Sequence, residues 1–159
     1  MKGTQLAVRF ALSPAGAAID CFCVRNFGHS PVVWLFTRSD EAAYNPPLVL
    51  TTTGRKTGKP RDVVLPYFEV GEGRIAIVGS RGGMPTDPHW ARNLRAEPRA
   101  QIHLRRRGQE VTTRLVTGDE RTRLWEPIVA RSPIYAQYQE RAAAHREIPV
   151  FVMEIRSRP

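Results

Sequence analysis

A short basic loop between two apolar stretches carries the clearest chemical signal in this sequence. Residues 54 to 61 read Gly-Arg-Lys-Thr-Gly-Lys-Pro-Arg, so that four cations, two glycines and a proline occupy eight positions. Backbone NH groups freed by Gly54 and Gly58 can form an anion-binding concavity, and the basic side chains can make charge-assisted hydrogen bonds to phosphate or carboxylate oxygens. The loop predicts a binding site for an anionic ligand, with a solvated basic hairpin as the alternative.

The same loop is similar to a nucleotide-binding P-loop but differs from it at two points. Only three residues separate Gly54 from the Gly58-Lys59 pair, and Pro60 stands where a P-loop has the serine or threonine that holds magnesium. The sequence therefore argues against nucleoside triphosphate hydrolysis.

Two further groups of residues have the types and spacing of a ligand site. Residues 80 to 83, Ser-Arg-Gly-Gly, can bring NH groups close to a ring edge, while Trp90 and Asn93 can present an aromatic surface and an amide from one helix face. Tyr135 and Tyr138 have the same i, i+3 spacing and can hydrogen-bond a carbonyl, nitro or quinone oxygen. Core packing is the alternative for Trp90 and for both tyrosines.

Alternation of apolar and polar residues predicts the strands that position these groups. Strands are expected at 48–53, 63–68, 75–78, 100–104, 111–115 and 150–155. The basic loop then follows the first strand. A turn at 71–73 joins the second and third strands as a hairpin, and residues 105–108 join the fourth and fifth.

Three helices are expected, at 88–96, from Thr117 onward, and from 133 to about 145. Thr117 and Glu120 have capping-box spacing, Pro127 should kink or end the second helix, and Ser132 is the expected N-cap of the third. Short strands with helices inserted between hairpins favour a small antiparallel barrel of α+β type, because parallel units need a helix after every strand.

Composition limits the remaining possibilities. The chain has 159 residues, enough for one domain, and its 24 Lys and Arg against 15 Asp and Glu give a net charge of +9 that favours an anionic partner. Cys21 and Cys23 match neither a disulfide framework nor a zinc site, and the four histidines form no metal-binding pattern, so we expect no metal and a cytoplasmic setting. Arg9 interrupts the first apolar stretch, so neither a spanning helix nor a signal peptide is expected.

The chain divides into an N-terminal arm, residues 1–45, and a barrel domain, residues 46–159. The arm is rich in small and apolar residues, including the cluster Pro31 to Phe36. These residues can dock on the core, cover a substrate mouth as a lid, or rest on a membrane surface.

Taken in order, the motifs resemble the deazaflavin-dependent nitroreductase family, the actinobacterial reductases that use coenzyme F420. The resemblance covers about residues 45 to 156, and its segments are 50–61, 65–67, 80–83, 88–90, 93–94 and 133–138. It implies a split β-barrel, of the kind that elsewhere binds flavin mononucleotide. It also implies an enzyme that passes a hydride from reduced F420 to quinones, nitroaromatics or enones.

The resemblance also assigns residues to roles. The basic loop would hold the phosphate and oligoglutamate tail, and the other segments would flank the deazaflavin ring. The implied cofactor-binding residues are Arg55, Lys56, Thr57, Gly58, Lys59, Arg61, Pro66, Tyr67, Ser80, Arg81, Gly82, Gly83, Trp90 and Asn93. The residues implied to orient and protonate the acceptor are Tyr67, Ser80, Tyr135 and Tyr138. Ser132 replaces an aromatic residue of some relatives, which would leave the acceptor wall more open.

Three other functions stay open at this point. The chain could be a cofactor or lipid carrier of the same fold with little turnover, or an oxidoreductase dependent on flavin mononucleotide. Nucleic-acid binding rests on the net charge and on residues 105–107, but the sequence lacks an aromatic-interleaved basic surface, so no nucleic-acid partner is expected. The expected partners are a small-molecule acceptor and, through the arm, a cytoplasmic membrane surface; the expected assembly is a monomer or a homodimer.

Overall fold

A computed structural model describes residues 13–34, 45–71 and 73–155. The strands in these ranges are β1 Pro47–Thr53, β2 Pro60–Pro66, β3 Phe68–Glu69, β4 Arg74–Val78, β5 Arg99–Leu104, β6 Arg107–Val116 and β7 Val150–Glu154. The helices are α1 Pro14–Phe27, α2 His89–Ala96, α3 Gly118–Arg131 and α4 Ile134–Ala142, and a 3₁₀ turn covers Arg81–Gly83.

The strands form one antiparallel sheet in the order β2-β1-β5-β6-β7-β4-β3. Strand β6 is shared by two ladders, since residues 107–112 pair with β5 and residues 113–116 pair with β7. The chain therefore passes from one half of the sheet to the other within one strand, and the sheet curls into a half-barrel. This architecture confirms the expected antiparallel α+β class.

The strand expected at 63–68 is two strands with different partners. β2 pairs with β1 along its length, whereas β3 pairs with β4. Tyr67 lies between them, and its NH donates to the Pro46 carbonyl at 3.2 Å. The hairpin expected between the second and third strands is therefore only the short β3–β4 pair. The sequence did not indicate this, because the alternation of side chains continues unchanged where a strand changes its pairing partner.

Helix boundaries differ from expectation at two prolines. Pro127, expected to kink or end the second helix, does not end it, because α3 continues through Pro127 to Arg131. Thr117 precedes α3 but makes no side-chain capping bond, and Glu120 instead accepts two hydrogen bonds from Arg114 at 2.6 and 2.7 Å. A capping box would need the Glu120 carboxylate to accept from the Thr117 NH, but this carboxylate is paired with Arg114 instead.

The start of α4 is also shifted. Its N-cap is Pro133 rather than Ser132, and the helix ends at Ala142 rather than near residue 145. The Ser132 side chain is buried, and its hydroxyl accepts a hydrogen bond from Asn45 Nδ2 at 2.7 Å. Ser132 therefore joins Asn45, the last residue of the arm, to the α3–α4 junction.

Helices cover both faces of the sheet. On the concave face, α2 packs Trp90, Ala91 and Leu94 against strand residues such as Leu50 and Phe151. On the other face, α3 and α4 cover the β4–β7 half. This packing holds α2 beside the loop that follows β1, where the candidate site lies.

The described part of the N-terminal arm is α1 and the segment after it; residues 1–12 and 35–44 of the arm lie outside the described residues. Helix α1 begins after Ser13, whose hydroxyl accepts from the Gly16 NH at 3.1 Å. It buries Cys21 and Val24 against Val49 and Val64 of the sheet. In the described ranges, no helix has the length and apolar character needed to cross a bilayer.

Candidate functional site

The basic loop is the turn of the β1–β2 hairpin, as its position after the first strand predicts. The Gly54 NH donates to the Lys59 carbonyl at 2.8 Å, and the Gly58 NH donates to the Gly54 carbonyl at 2.7 Å. A Cβ at Gly54 would lie only 2.8 Å from Thr57 Oγ1 and 3.0 Å from the Lys59 carbonyl. Glycine is therefore required at the base of the loop because the backbone folds back onto itself there.

The positive charges of this loop are not neutralised by acidic side chains. Within the described ranges, the ion pairs include none of its four cations. The acidic neighbour Asp62 is already engaged, because Arg25 of α1 donates to it at 2.7 Å and Thr51 donates to it at 2.6 Å. The loop charge remains available to a ligand.

A cleft of about 620 Å³ lies between this loop and the start of α2. Its lining includes Thr52, Gly54, Arg55, Lys56, Thr57, Arg61, Asp62, Val63, Arg81, Pro88, His89, Trp90 and Asn93. The structure therefore brings together most of the basic loop, one residue of the 80–83 loop and the two α2 residues predicted from spacing. The volume lies within the range of small-molecule sites. We call this space the cofactor cleft, after the ligand that the resemblance implies.

A second groove, of about 460 Å³, lies beside the same hairpin and is lined by Gly58 and by residues of β1, β5 and β6. Its one arginine, Arg99, is paired with Glu97 at 3.0 Å, and this pairing lowers the pKa of Glu97 to about 2. The second groove therefore offers less free positive charge than the cofactor cleft. Among the described residues, no group of three or more His, Cys, Asp and Glu side chains could hold a metal ion.

Asn93 lines the cofactor cleft and also makes hydrogen bonds within the protein. It is 4% exposed, and its Nδ2 donates to Thr52 Oγ1 at 3.0 Å. Its Oδ1 accepts from the Arg55 NH at 3.2 Å and lies 3.4 Å from the Arg55 guanidinium. The amide therefore fastens the basic loop to α2.

The substitution Asn93→Ala is expected to lower the free energy of unfolding by about 2 kcal/mol, because it leaves the buried Thr52 hydroxyl and the Arg55 NH without their partner. Urea unfolding followed by circular dichroism measures this loss. The matched control is Asn26→Ala, which removes an exposed bond to the Phe22 carbonyl and should cost less than about 0.5 kcal/mol. Equal losses in the two variants would contradict the anchoring role of Asn93.

His89 reports the positive field in the cofactor cleft. Its pKa is lowered, chiefly by Arg92, then by partial burial and by Arg55, Arg81 and Lys56. An Arg92 nitrogen lies 3.4 Å from His89 Nδ1. Because a guanidinium can only donate, this contact also favours the neutral imidazole.

The loop at 80–83 has an unusual backbone. Ser80 is in the right-handed helical region, and Arg81, Gly82 and Gly83 follow with φ of 47°, 63° and 78°. A right-handed residue followed by a left-handed one turns successive NH groups toward one side, which is how backbone anion sites are built. A Cβ at Gly83 would lie 2.7 Å from the Tyr138 carbonyl, so Gly83 also permits close packing against α4.

The four residues predicted to orient and protonate an acceptor are not all accessible. Tyr67 is 3% exposed in the concave core. Tyr135 is 8% exposed, its ring packs against Phe68 and Tyr138, and burial raises its pKa. Ser80 and Tyr138 are half-buried and keep part of their surface in solvent. None of these four residues lines the cofactor cleft. The other predicted site residues outside its lining are Gly58, Lys59, Pro66, Gly82 and Gly83.

Several residues that shape the site were not among those predicted from the sequence. Thr52 and His89 line the cofactor cleft, and Arg146 binds the backbone of the 79–84 segment. Thr52 could have been found from the alternation of β1, which points it to the same face as Leu50. Arg146 carries no such signal, because it lies in a polar stretch far along the chain.

A family model described as F420H(2)-dependent quinone reductase matches residues 37–155. An F420H(2)-dependent quinone reductase of Mycobacterium tuberculosis is 37% identical to this chain over 111 residues, which are 68% of this chain and 72% of that protein.

Two solved structures are similar in sequence and in shape. One is described as an F420-H2 dependent reductase (FDR-A) and has 38% sequence identity and a TM-score of 0.60. The match covers 69% of this chain and 94% of the FDR-A chain. Another is described as a domain-swapped dimer and has 33% sequence identity and a TM-score of 0.61. That match covers 79% of this chain and 100% of the other chain. Together with the curled antiparallel sheet, these likenesses confirm the expected split β-barrel.

Proposed function

The chain belongs to the F420H(2)-dependent quinone reductase family, and on this premise we propose that it transfers a hydride from reduced coenzyme F420 to an electron-poor acceptor, in the first place a quinone. Nitroaromatics and enones are further acceptors of the same electronic type. The reaction moves two electrons and one proton equivalent as hydride, and a second proton completes the hydroquinone.

The observation that carries this proposal is the meeting of free cations and an aromatic wall in one cleft. Arg55, Lys56 and Arg61 line it without acidic partners among the residues that the structure describes, and Trp90 lines it from α2. Phosphate and carboxylate oxygens of the cofactor would bind the cations, and the ring would lie toward Trp90 and the 80–83 loop. The donors present therefore suit a ligand that is anionic at one end and aromatic at the other.

In this proposal, the protein contributes positioning and hydrogen bonds. The bound cofactor supplies the hydride when reduced. Ser80 and Tyr138, which keep solvent-exposed surface, are the residues we propose to donate hydrogen bonds to the acceptor oxygen. Tyr135 contributes as a neutral phenol, because its raised pKa makes it a poor proton donor. Tyr67 would support the ring from the core, and the second proton can come from water.

The experiment is a titration followed by turnover. Purified protein is titrated with F420, flavin mononucleotide and haem side by side, and binding is followed by the change in cofactor fluorescence or absorbance. Menadione is then added to the complex with reduced F420, and oxidation of the cofactor is measured against a sample without protein. Of the three cofactors, we expect only F420 to bind tightly. We expect rapid oxidation of reduced F420 only when protein and menadione are both present.

Other outcomes of this experiment identify the alternatives. Binding of F420 without acceptor-dependent oxidation would indicate a carrier. Preferential binding of flavin mononucleotide would indicate a flavin-dependent oxidoreductase. No binding of any of the three cofactors would overturn the proposal.

Affinity for the anionic cofactor is expected to rise as the pH falls from about 7 to 5. The pKa of His89 in the free protein is lowered by the surrounding cations, so the ring is neutral at pH 7. An anion bound in the cleft offsets these cations and raises that pKa, so binding takes up a proton and is strengthened below the pKa of the complex. Titrations at several pH values should show this trend in the native protein and a weaker one in His89→Gln. A pH dependence unchanged in that variant would contradict it.

We also propose that the arm makes peripheral contact with a membrane surface, where lipid-soluble quinones reside. The side chains of Ile19, Phe22, Phe27 and Trp34 expose more than half of their surface, and Arg25 lies beside them in the chain. Sedimentation with anionic phospholipid vesicles should retain the protein, and Phe22→Ser with Phe27→Ser should reduce that binding at least about fivefold. Binding that does not change in the double variant would count against this role.

For the assembly we propose a monomer or a homodimer, and for the domain organisation an arm over residues 1–45 on a barrel domain over 46–159. Light scattering after size-exclusion chromatography tests the first. Limited proteolysis tests the second, since cleavage should concentrate within the arm and leave the barrel domain intact.

A further inference from the structure

The guanidinium of Arg146 lies at the centre of the segment that follows β4. Its Nη1 donates to the Gly79 carbonyl at 3.1 Å, its Nη2 donates to the Ser80 carbonyl at 2.7 Å, and its Nε donates to the Met84 carbonyl at 2.9 Å. The side chain is only 10% exposed. One largely buried cation therefore binds three carbonyls that bracket the 80–83 loop.

The same guanidinium is paired with an acid at the end of this segment. Arg146 Nη1 donates to Asp87 Oδ1 at 2.8 Å, and the second oxygen of Asp87 accepts from Arg95 Nη2 of α2 at 3.0 Å. Asp87 is itself mostly buried. The chain Arg146–Asp87–Arg95 thus links the 80–83 loop to the helix that carries Trp90 and, through Asn93, the basic loop.

The backbone of the 80–83 loop needs such support. Arg81 has a φ of 47°, a region that L-residues with a side chain adopt only when their surroundings hold them there. The Ser80 carbonyl accepts from the Gly83 NH at 2.9 Å as well as from Arg146. This one oxygen therefore closes the turn and also ties it to Arg146. Lysine cannot replace this arrangement, because an ammonium group lacks the planar fork that reaches several acceptors at once.

We propose that Arg146 is a positioning residue that fixes the 80–83 loop against α2 and so sets the ring end of the cofactor cleft. This inference rests on the proposed function for its catalytic consequence. Arg146 itself does not line the cleft. It acts through the carbonyls that it holds and through Asp87.

The test compares two arginines with low exposure, each changed to lysine. Arg146→Lys should speed hydrogen exchange of the amides at 80–86 in the free protein by about tenfold or more, because the loop opens without its fork of hydrogen bonds. It should also raise the KM for reduced F420 by about tenfold while kcat falls less, since weaker positioning affects binding of the ring first. Asp87→Asn should move both readouts in the same direction by a smaller factor.

The matched control is Arg121→Lys. Arg121 is also buried and donates to the Ile148 carbonyl and to Gln139, but its contacts leave out the 79–87 segment. This variant should lose stability without faster exchange at 80–86. The proposal is overturned if exchange at 80–86 is unchanged in Arg146→Lys, or if Arg121→Lys accelerates it equally.

The exchange measurement needs no cofactor. If the native protein oxidises no reduced F420 with menadione, the proposed function fails while the exchange result still decides whether Arg146 holds the loop. If Arg146→Lys does not fold, Asp87→Asn is measured against Arg121→Lys in the same two assays. No acceleration in that variant would also overturn the proposal.

Discussion

Reversing the charges of Arg55 and Lys56 to glutamate in one double variant is expected to weaken the binding of F420 by at least about 100-fold. Each charge-assisted hydrogen bond contributes about 1.5 to 3 kcal/mol, and loss of two of them corresponds to a factor of this size or more. Both residues line the cofactor cleft and have no acidic partner in the described part of the chain. A fluorescence titration of the cofactor measures the effect directly.

The control for this experiment has the same change in net charge at a distant turn. Arg106 and Arg107 are exposed in the β5–β6 hairpin, and converting both to glutamate also takes the net charge from +9 to +5. This variant should keep most of its affinity, within about threefold, because distant charges act only through a screened field. Comparable losses in the two double variants would show that total charge, and not the loop, attracts the cofactor.

Adjacent glycines in the 80–83 loop should respond very differently to alanine. Gly83→Ala is expected to lower the free energy of unfolding by about 3 kcal/mol, since a left-handed backbone and overpacking each add a cost of about 1 kcal/mol or more. The new Cβ would lie 2.7 Å from the Tyr138 carbonyl and 2.8 Å from Arg141 Cβ, so α4 must shift. Urea unfolding measures the loss.

Gly82→Ala is the matched variant, because Gly82 has a similar φ of 63° but nothing within 4 Å of the added methyl group. It should cost only about 1 kcal/mol, the penalty of the left-handed backbone alone. The difference between the two variants therefore isolates the contact with α4. Equal losses would mean that this contact carries no energetic weight.

Local features of the fold could be predicted because they are properties of short stretches. The β-branched run before Gly54 and the alternation around residues 100–104 gave strands β1 and β5 close to their observed bounds. The turn of the β5–β6 hairpin was expected at 105–108 and is shorter, with Arg105 and Arg106 at φ of 49° and 66° between the paired residues Leu104 and Arg107. Strand β6 therefore begins at 107 rather than 111. Side-chain periodicity decides such elements without reference to the rest of the chain.

Features that depend on distant partners were not predictable in the same way. The change of ladder at Tyr67 depends on which strands lie next to β2 and β3 in space. Glu120 was available to Thr117 by spacing but binds Arg114, and Ser132 was available as an N-cap but binds Asn45. Each of these residues has a capping role available within its own helix and a competing partner outside that helix, and the spacing of residues indicates only the capping role.

The candidate site shows the same division. The composition and place of the basic loop were readable, and the resemblance to F420-dependent reductases agrees with the quinone reductase family that the chain matches. The use of the Asn93 amide inside the protein was not readable, because i, i+3 spacing with Trp90 says nothing about what faces the amide. The assignments of Tyr67, Ser80, Tyr135 and Tyr138 stay predictions.

The contact of Asn93 with Thr52 and Arg55 has a consequence for the speed of ligand capture. Helix α2 holds the basic hairpin turn through a buried amide, so the turn is ordered before a ligand binds. The entropy cost of ordering it is therefore met during folding and does not weaken binding. An anionic ligand would then meet a positively charged surface that is already in place. Association should therefore be governed by electrostatic steering, with a rate constant that falls as ionic strength rises.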